Sequence, residues 1–150
     1  ACRAEVAANC LDLFEIVVPV AVEAEILSTQ VSTPRREYPY ATLFRHLRDH
    51  LLDAPTTGFE PISRFGRGEA EAVGLAAHLG TLLLINERRA AAYAANLGIS
   101  IVTVPSVIVA LVARGVISVR AARRKLDLIE SITARQIIDQ ARQAVDHFEL

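Results

Sequence analysis

Acidic side chains occur at two points that folding is expected to bring together. Glu69 and Glu71 open a stretch of small apolar residues that is typical of a helix packed on a sheet. Residues 82–85 form an apolar run of strand length, as in a buried parallel strand, and Asn86 and Glu87 follow it directly. Because ligands of open α/β sheets bind outside the carboxyl ends of the strands, we expect these side chains to meet at one site.

Gathered carboxylates suit a hard divalent cation. One or two such cations supply an activated water and neutralise negative charge on a bound substrate. Mg²⁺ and Mn²⁺ prefer oxygen ligands, which Glu69 and Glu87 offer as carboxylates and Asn86 offers as an uncharged carbonyl. The ordinary alternative for Glu69 is an acid that complements the dipole of its helix.

The elements that must position these residues alternate between helix and strand. Helices are predicted from Pro19 and over residues 1–9, 40–52, 68–80, 88–97, 105–113, 121–130 and 133–148. Strands are predicted over residues 15–18, 82–85 and 99–104, and residues 28–36 are predicted to form a loop. The pattern predicts a single α/β domain, residues 1–150, with a parallel sheet and helices on both faces.

Two stretches resemble a known family. Residues 68–73, Gly-Glu-Ala-Glu-Ala-Val, and residues 83–88, Leu-Leu-Ile-Asn-Glu-Arg, resemble the core of the PIN-domain-like family, and more narrowly a prokaryotic branch with a GEAEA(I/V)…LLLIDDR pattern. The resemblance implies a three-layer α/β/α, Rossmann-like fold with a central parallel sheet. It also implies a Mg²⁺- or Mn²⁺-dependent ribonuclease, often the toxin of a toxin–antitoxin pair, with RNA and a cognate antitoxin protein as partners. The alternative is a degenerate PIN-like domain without activity that binds RNA or a partner protein.

The resemblance assigns roles to individual acids. Residues 19–26 resemble the family's P-x-x-V-x-x-E-(L/I) segment, which puts Glu25 in the place of the second metal-site acid; otherwise Glu25 would be a solvated helix residue. Glu69 matches the third acid. The branch usually has Asp-Asp or Asp-Glu at the strand end, and of Asn86 and Glu87 we favour Glu87. The predicted catalytic residues are Glu25, Glu69 and Glu87, and the predicted metal ligands add Asn86 and Glu71.

The family's first acid is an Asp at the end of its first strand. Counting back along the match, that Asp would fall just before Ala1, and the sequence contains no Met. We therefore expect the native N-terminus, the first strand and its acid to be missing from these residues, or the strand to have been replaced.

Arginines follow the predicted acids closely. Near a metal–phosphate site they would hold an RNA backbone, because a guanidinium can contact phosphate through two hydrogen bonds. The alternative is a set of solvated loop arginines. Few aromatic residues are interleaved with them, so base stacking is not predicted. The predicted nucleic-acid-binding residues are Arg67, Arg88 and Arg89, extended by Arg35, Arg36 and Arg64.

Composition excludes some classes of protein. The formal net charge is −1, so a nucleic-acid surface would have to be local. No apolar run approaches the roughly 18 residues of a membrane span, and no secretory segment opens the chain, so we expect a soluble, cytoplasmic protein. The last predicted helix carries an apolar stripe, which we expect to pack in the core. The second choice is a surface for a partner protein or for a homo-oligomer.

Two further groups of residues are weaker candidates. His46 and His50 lie one helical turn apart, a spacing that can bind zinc, but no third ligand is evident. Thr103 or Ser106 would position a water or a metal in the family's fourth segment, although Ser106 is the better candidate for a helix cap.

Overall fold

The computed structural model describes residues 5–28 and 40–149. Its elements, in chain order, are α1 (Ala7–Cys10), α2 (Val20–Leu27), α3 (Ala41–Leu47), α4 (Arg67–Leu79), β1 (Leu83–Leu84), α5 (Arg88–Asn96), β2 (Ile101–Val102), α6 (Val104–Ala113), α7 (Val119–Asp127) and α8 (Arg135–Asp146). Short 3₁₀ turns cover Arg48–His50, Glu130–Ile132 and His147–Glu149. Most of the predicted loop at 28–36, with Arg35 and Arg36, lies outside the described residues.

The chain packs as two compact units. One unit, called here the sheet unit, consists of Glu15–Ile101. The other, called the helical unit, consists of the residues up to Phe14 and those from Val102 onward. The single domain expected from the sequence stays a prediction.

Local sequence signals set the ends of the helices in the sheet unit. Pro19 precedes α2, as predicted, because its ring fixes the backbone angle φ at −58°. Gly80 ends α4 with φ of 63°, a left-handed conformation that glycine adopts without steric cost. The helix predicted over residues 40–52 ends earlier, at Leu47, and continues as a 3₁₀ turn.

Two short strands form a parallel pair. β1 pairs with β2, and the backbone N–H of Leu83 donates to the carbonyl of Ser100 at 2.9 Å. The strand predicted over residues 15–18 is reduced to one parallel bridge between Val17 and Leu52. The parallel pairing agrees with an α/β fold, whereas the three-layer arrangement around a central sheet stays a prediction.

Residues 82–85 were predicted to be a strand buried on both of its faces, and that prediction is wrong. Leu83 and Ile85 are buried, but Leu82 is 55% exposed and Leu84 41% exposed. The side chains of a strand alternate between faces, and α4 and α5 cover only the face of Leu83 and Ile85. That covered face, with Val73 of α4 and Ala90 and Ala94 of α5, is the core of the sheet unit.

The helical unit is a packing of α1, α6, α7 and α8 around aliphatic side chains. Ile108, Leu111, Leu126 and Ile138 are fully buried in it. Only part of the apolar stripe predicted on the last helix packs in the core. Ile138, Ala141 and Val145 are buried, whereas Ile137 and Phe148 are 37% and 48% exposed. Homo-oligomerisation therefore stays a prediction.

Within the part of the chain that the structure describes, no helix is both long and apolar enough to cross a bilayer.

Gly74 allows α4 to approach the preceding loop, and we expect Gly74→Ala to destabilise the protein. A Cβ at this position would overlap the backbone carbonyl oxygen of Glu60 and lie 3.2 Å from Cδ2 of Phe59. Overpacking of this kind costs about 1–3 kcal/mol against a gain of roughly 1 kcal/mol from replacing a helical glycine by alanine, so the net loss reaches about 2 kcal/mol. Urea denaturation would measure the change, with Ala77→Ser, at an exposed position of α4, as the control for a substitution without overpacking. A Gly74→Ala variant about 1 kcal/mol more stable than the parent, the gain from glycine replacement alone, would contradict the close approach.

Candidate functional site

Glu69 and Glu87 line one pocket of the sheet unit. The pocket has a volume of about 220 Å³, and Arg64, Phe65, Gly66 and Arg89 complete its lining. Glu69 comes from the first turn of α4, and Glu87 stands between β1 and α5. The fold thus brings together two of the three acids that the sequence predicted to be catalytic.

Glu69 reaches the pocket by folding back over the start of its own helix. Its Oε2 atom lies 2.5 Å from the position that a Cβ on Gly66 would occupy. Gly66 precedes the first turn of α4, and Glu69 is the third residue of that helix. A side chain at position 66 would therefore push the carboxylate of Glu69 aside.

Glu87 is fixed at the start of α5 as its N-cap. Its Oε2 accepts a hydrogen bond from the backbone N–H of Ala90 at 2.6 Å. This bond, a second one from the backbone N–H of Arg89, and the positive charge of Arg89 lower the pKa of Glu87 below its ordinary value. The carboxylate is therefore negatively charged at neutral pH, the form in which a carboxyl group binds a cation.

Glu25 and Glu71 hold helices α2 and α4 together. Glu25, on α2, accepts the backbone N–H of Gly68 at 2.9 Å in the first turn of α4. Glu71, on α4, accepts the backbone N–H of Ala21 at 2.7 Å in the first turn of α2. The residues that precede these helices, Pro19 and Gly66, make no side-chain cap, so each helix supplies a carboxylate to the N-terminus of the other.

Two carboxylates in one pocket fit a hard divalent cation that keeps several water ligands. Mg²⁺ is usually held by only one or two protein carboxylates. Among the described residues, no three or more His, Cys, Asp or Glu side chains lie in a group that could hold a metal ion. Metal ligation stays a prediction for all five residues, Glu25, Glu69, Glu71, Asn86 and Glu87; Asn86 is exposed between β1 and α5.

The arginines predicted to bind nucleic acid differ in their positions. Arg89 and Arg64 line the pocket with the two acids. Arg67 and Arg88 are the exposed first residues of α4 and α5. Two acidic and two basic residues therefore line one pocket.

Two aromatic residues beside the pocket were not among the predicted site residues. Phe65 and Tyr93 make an edge-to-face contact, with ring centroids 5.4 Å apart and planes inclined by 67°. The guanidinium carbon of Arg64 lies 6.0 Å from the centroid of the Tyr93 ring. Tyr93 follows Arg89 by four residues on α5, a spacing that puts both on one face and could have revealed it. The contact with Phe65 depends on tertiary packing.

The weaker candidates have local roles. Thr103 is the N-cap of α6 and accepts the backbone N–H of Ser106 at 3.4 Å, so the predicted capping by Ser106 is wrong. The helix starts earlier than predicted, with Val104 and Pro105 in its first turn. His46 shares a hydrogen bond with the carbonyl of Thr42, and no metal-binding group is found around it among the residues described.

Comparison with known proteins gives one family. A family model described as a PIN domain matches residues 7–148, which is nearly the whole chain. No curated protein and no solved structure matches the sequence.

Loss of either inter-helix carboxylate should destabilise the protein. We expect Glu25→Ala and Glu71→Ala each to lower the free energy of unfolding by about 1 kcal/mol, as removal of a helix cap does. The double variant should lose less than the sum, because the two bonds act on the same pair of helices. Urea denaturation would measure these changes against Glu15→Ala, at an exposed position. Single variants that lose no more stability than Glu15→Ala would contradict the exchange. So would a double variant that loses the full sum of the two single losses.

The lowered pKa of Glu87 predicts a pH-dependent contribution to stability. Because the folded-state pKa lies below the unfolded-state value, the contribution is present above about pH 4.5 and is lost as the pH falls through the folded-state pKa. The difference in melting temperature between the parent and Glu87→Gln should therefore shrink between pH 6 and pH 3. Glu87→Asp is the control, because aspartate also places a titratable carboxylate at the N-cap of α5. A difference that is constant with pH would contradict the capping role.

Proposed function

The chain belongs to the PIN-domain family, and from that premise we propose that it is a metal-dependent nuclease that cleaves RNA. The observation that carries the proposal is the shared pocket of Glu69 and Glu87, with Arg64 and Arg89 in its lining. PIN domains generally depend on a divalent metal. The pocket supplies what such a reaction needs from a protein: ionised oxygen ligands and positive charge for phosphate.

Glu69 and Glu87 would hold Mg²⁺ or Mn²⁺. The bound cation would supply an activated water and neutralise charge on the phosphate. Of the two acids, Glu87 is the better fixed, because the backbone of α5 holds its carboxylate. Glu69 is positioned more indirectly: Glu25 binds the adjacent residue, Gly68, and so fixes the turn from which Glu69 projects.

Arg64 and Arg89 would bind the scissile phosphate. Both line the pocket beside the acids, and a guanidinium offers two parallel donors to phosphate oxygens. Arg67 and Arg88 would extend the contact along the RNA backbone. In the cell we place this activity in the cytoplasm, as the toxin of a pair whose antitoxin protein inhibits it.

A second candidate function is RNA or partner-protein binding without catalysis. It is favoured by one observation, that the described residues contain no group of three acids around a metal position. The uncharged Asn86 at the strand end is consistent with it. The two functions differ in whether the protein cleaves RNA or only binds RNA or a partner protein.

Replacement of Glu69 should abolish cleavage. We expect the full chain to cleave a fluorescently labelled single-stranded RNA in Mg²⁺ or Mn²⁺ and not in EDTA. Glu69→Gln, which removes one charge from the pocket with little change of shape, should be at least about 100-fold slower, as expected when the cation that neutralises charge in the transition state is bound less well. Gel analysis of the products would measure the rates.

Calorimetric titration with Mn²⁺ accompanies the cleavage assay. The parent should bind Mn²⁺ and Glu69→Gln should bind it weakly. Glu60→Gln, an exposed carboxylate of the sheet unit that does not line the pocket, is the control and should match the parent in both assays. Absence of cleavage and of Mn²⁺ binding in the parent would contradict the nuclease. RNA binding that persists in that case would favour the second function.

A further inference from the structure

We propose that Tyr93, supported by Phe65 and gated by Arg64, is a stacking subsite for one unpaired base of the substrate. The inference rests on the proposed nuclease function and deepens it, because it defines the substrate as single-stranded at the cleavage site. It assigns a role to three side chains that form one connected group at the rim of the carboxylate pocket.

The ring of Tyr93 is held rigidly. It projects from α5 and packs against the core of the sheet unit, as does Phe65. The edge-to-face contact between the two rings, at 5.4 Å and 67°, fixes the orientation of the Tyr93 ring. Tyr93 is only partly buried. A fixed and partly accessible ring is the arrangement that binds a planar group with little loss of conformational freedom.

Arg64 covers the face of Tyr93 on which a base would stack. Its guanidinium lies above the ring, with the central carbon 6.0 Å from the centroid, and the Arg64 side chain is exposed. An exposed cation–π contact is weaker than the stacking of a nucleobase on an aromatic ring. A base can therefore displace the guanidinium from the ring, and Arg64 then turns toward the phosphate in the pocket that it already lines.

The position of the ring fits the dimensions of one nucleotide. Arg89 lies one turn before Tyr93 on α5, about 6 Å along the helix axis, and Phe65 and Arg64 line the pocket themselves. A phosphate held by Arg89 beside Glu87 would thus carry its neighbouring base to the Tyr93 ring. The two parts of one nucleotide would occupy the pocket and the ring together.

This subsite selects unpaired nucleotides and tolerates any sequence. In a duplex both faces of a base are covered by its neighbours, so the ring has access only to a base that has left the stack. Every base has a π-face, so stacking discriminates weakly between them. The structure offers a physical reason for a preference for single strands with little base preference.

The test compares two short RNAs in EDTA, where metal-dependent cleavage is suppressed. One is an abasic ribose-phosphate oligomer that carries 2-aminopurine at its central position as its only base, and the other is abasic throughout, so no other base can take the place of the missing one. The parent should bind the base-containing RNA at least about fivefold more tightly, the lower end of what stacking on an aromatic residue contributes. Binding should quench the 2-aminopurine fluorescence. The difference lies in the ligand, so this comparison does not depend on the folding of any variant.

Variants then locate the stacking. Tyr93→Phe keeps the ring and should retain the preference and the quenching, whereas Tyr93→Leu should remove both. Phe59→Leu is the matched control: Phe59 contacts His78, with ring centroids 6.4 Å apart, and does not line the pocket, so this variant should behave as the parent does. Equal dissociation constants for the two RNAs in the parent, or a preference that survives in Tyr93→Leu, would overturn the proposal.

Cleavage assays on the same proteins separate this proposal from the nuclease itself. A parent that cleaves RNA in Mn²⁺ but shows no base preference would overturn the stacking subsite and leave the nuclease intact. A parent that shows the preference and the quenching but no cleavage would support the subsite and contradict the nuclease.

Discussion

The exchange of carboxylates between α2 and α4 is the interaction on which the site depends. Each helix begins without a side-chain cap, and each receives a glutamate from the other, Glu25 at Gly68 and Glu71 at Ala21. The N-terminus of a helix carries partial positive charge and unsatisfied N–H groups, and a carboxylate oxygen from the other helix satisfies one of these groups in each case. Glu69 follows Gly68 directly. The orientation of the pocket acid is therefore tied to the packing of two helices.

Elements with a local signal were predicted well. Pro19 marks the start of a helix because its ring fixes φ, and Gly80 marks the end of one because glycine can adopt a positive φ. Neither effect needs tertiary contacts. The apolar run at 82–85 was assigned correctly as part of a parallel pair, but its burial was not. Exposure of Leu82 and Leu84 depends on which elements cover each face of the strand, and composition does not specify that.

The site was predicted in part for the same reason. Glu69 and Glu87 share a pocket because the start of α4 and the end of β1 are adjacent in this topology. The order of a helix and the next strand along the chain can indicate that adjacency. The role of Glu25 could not be predicted, since its partner is a backbone group 43 residues away. Likewise, Phe65 and Tyr93 meet only because α5 packs against the loop that precedes α4.

The close approach at Gly68 has a consequence for how the sequence can change. A Cβ at position 68 would lie 2.8 Å from Oε2 and 3.0 Å from Oε1 of Glu25, so the carboxylate reaches the helix only because no side chain stands there. A larger residue at 68 removes the room for Glu25, and loss of Glu25 removes the need for glycine. Positions 25 and 68 are therefore expected to vary as a pair, and an alignment of related chains should show them changing together.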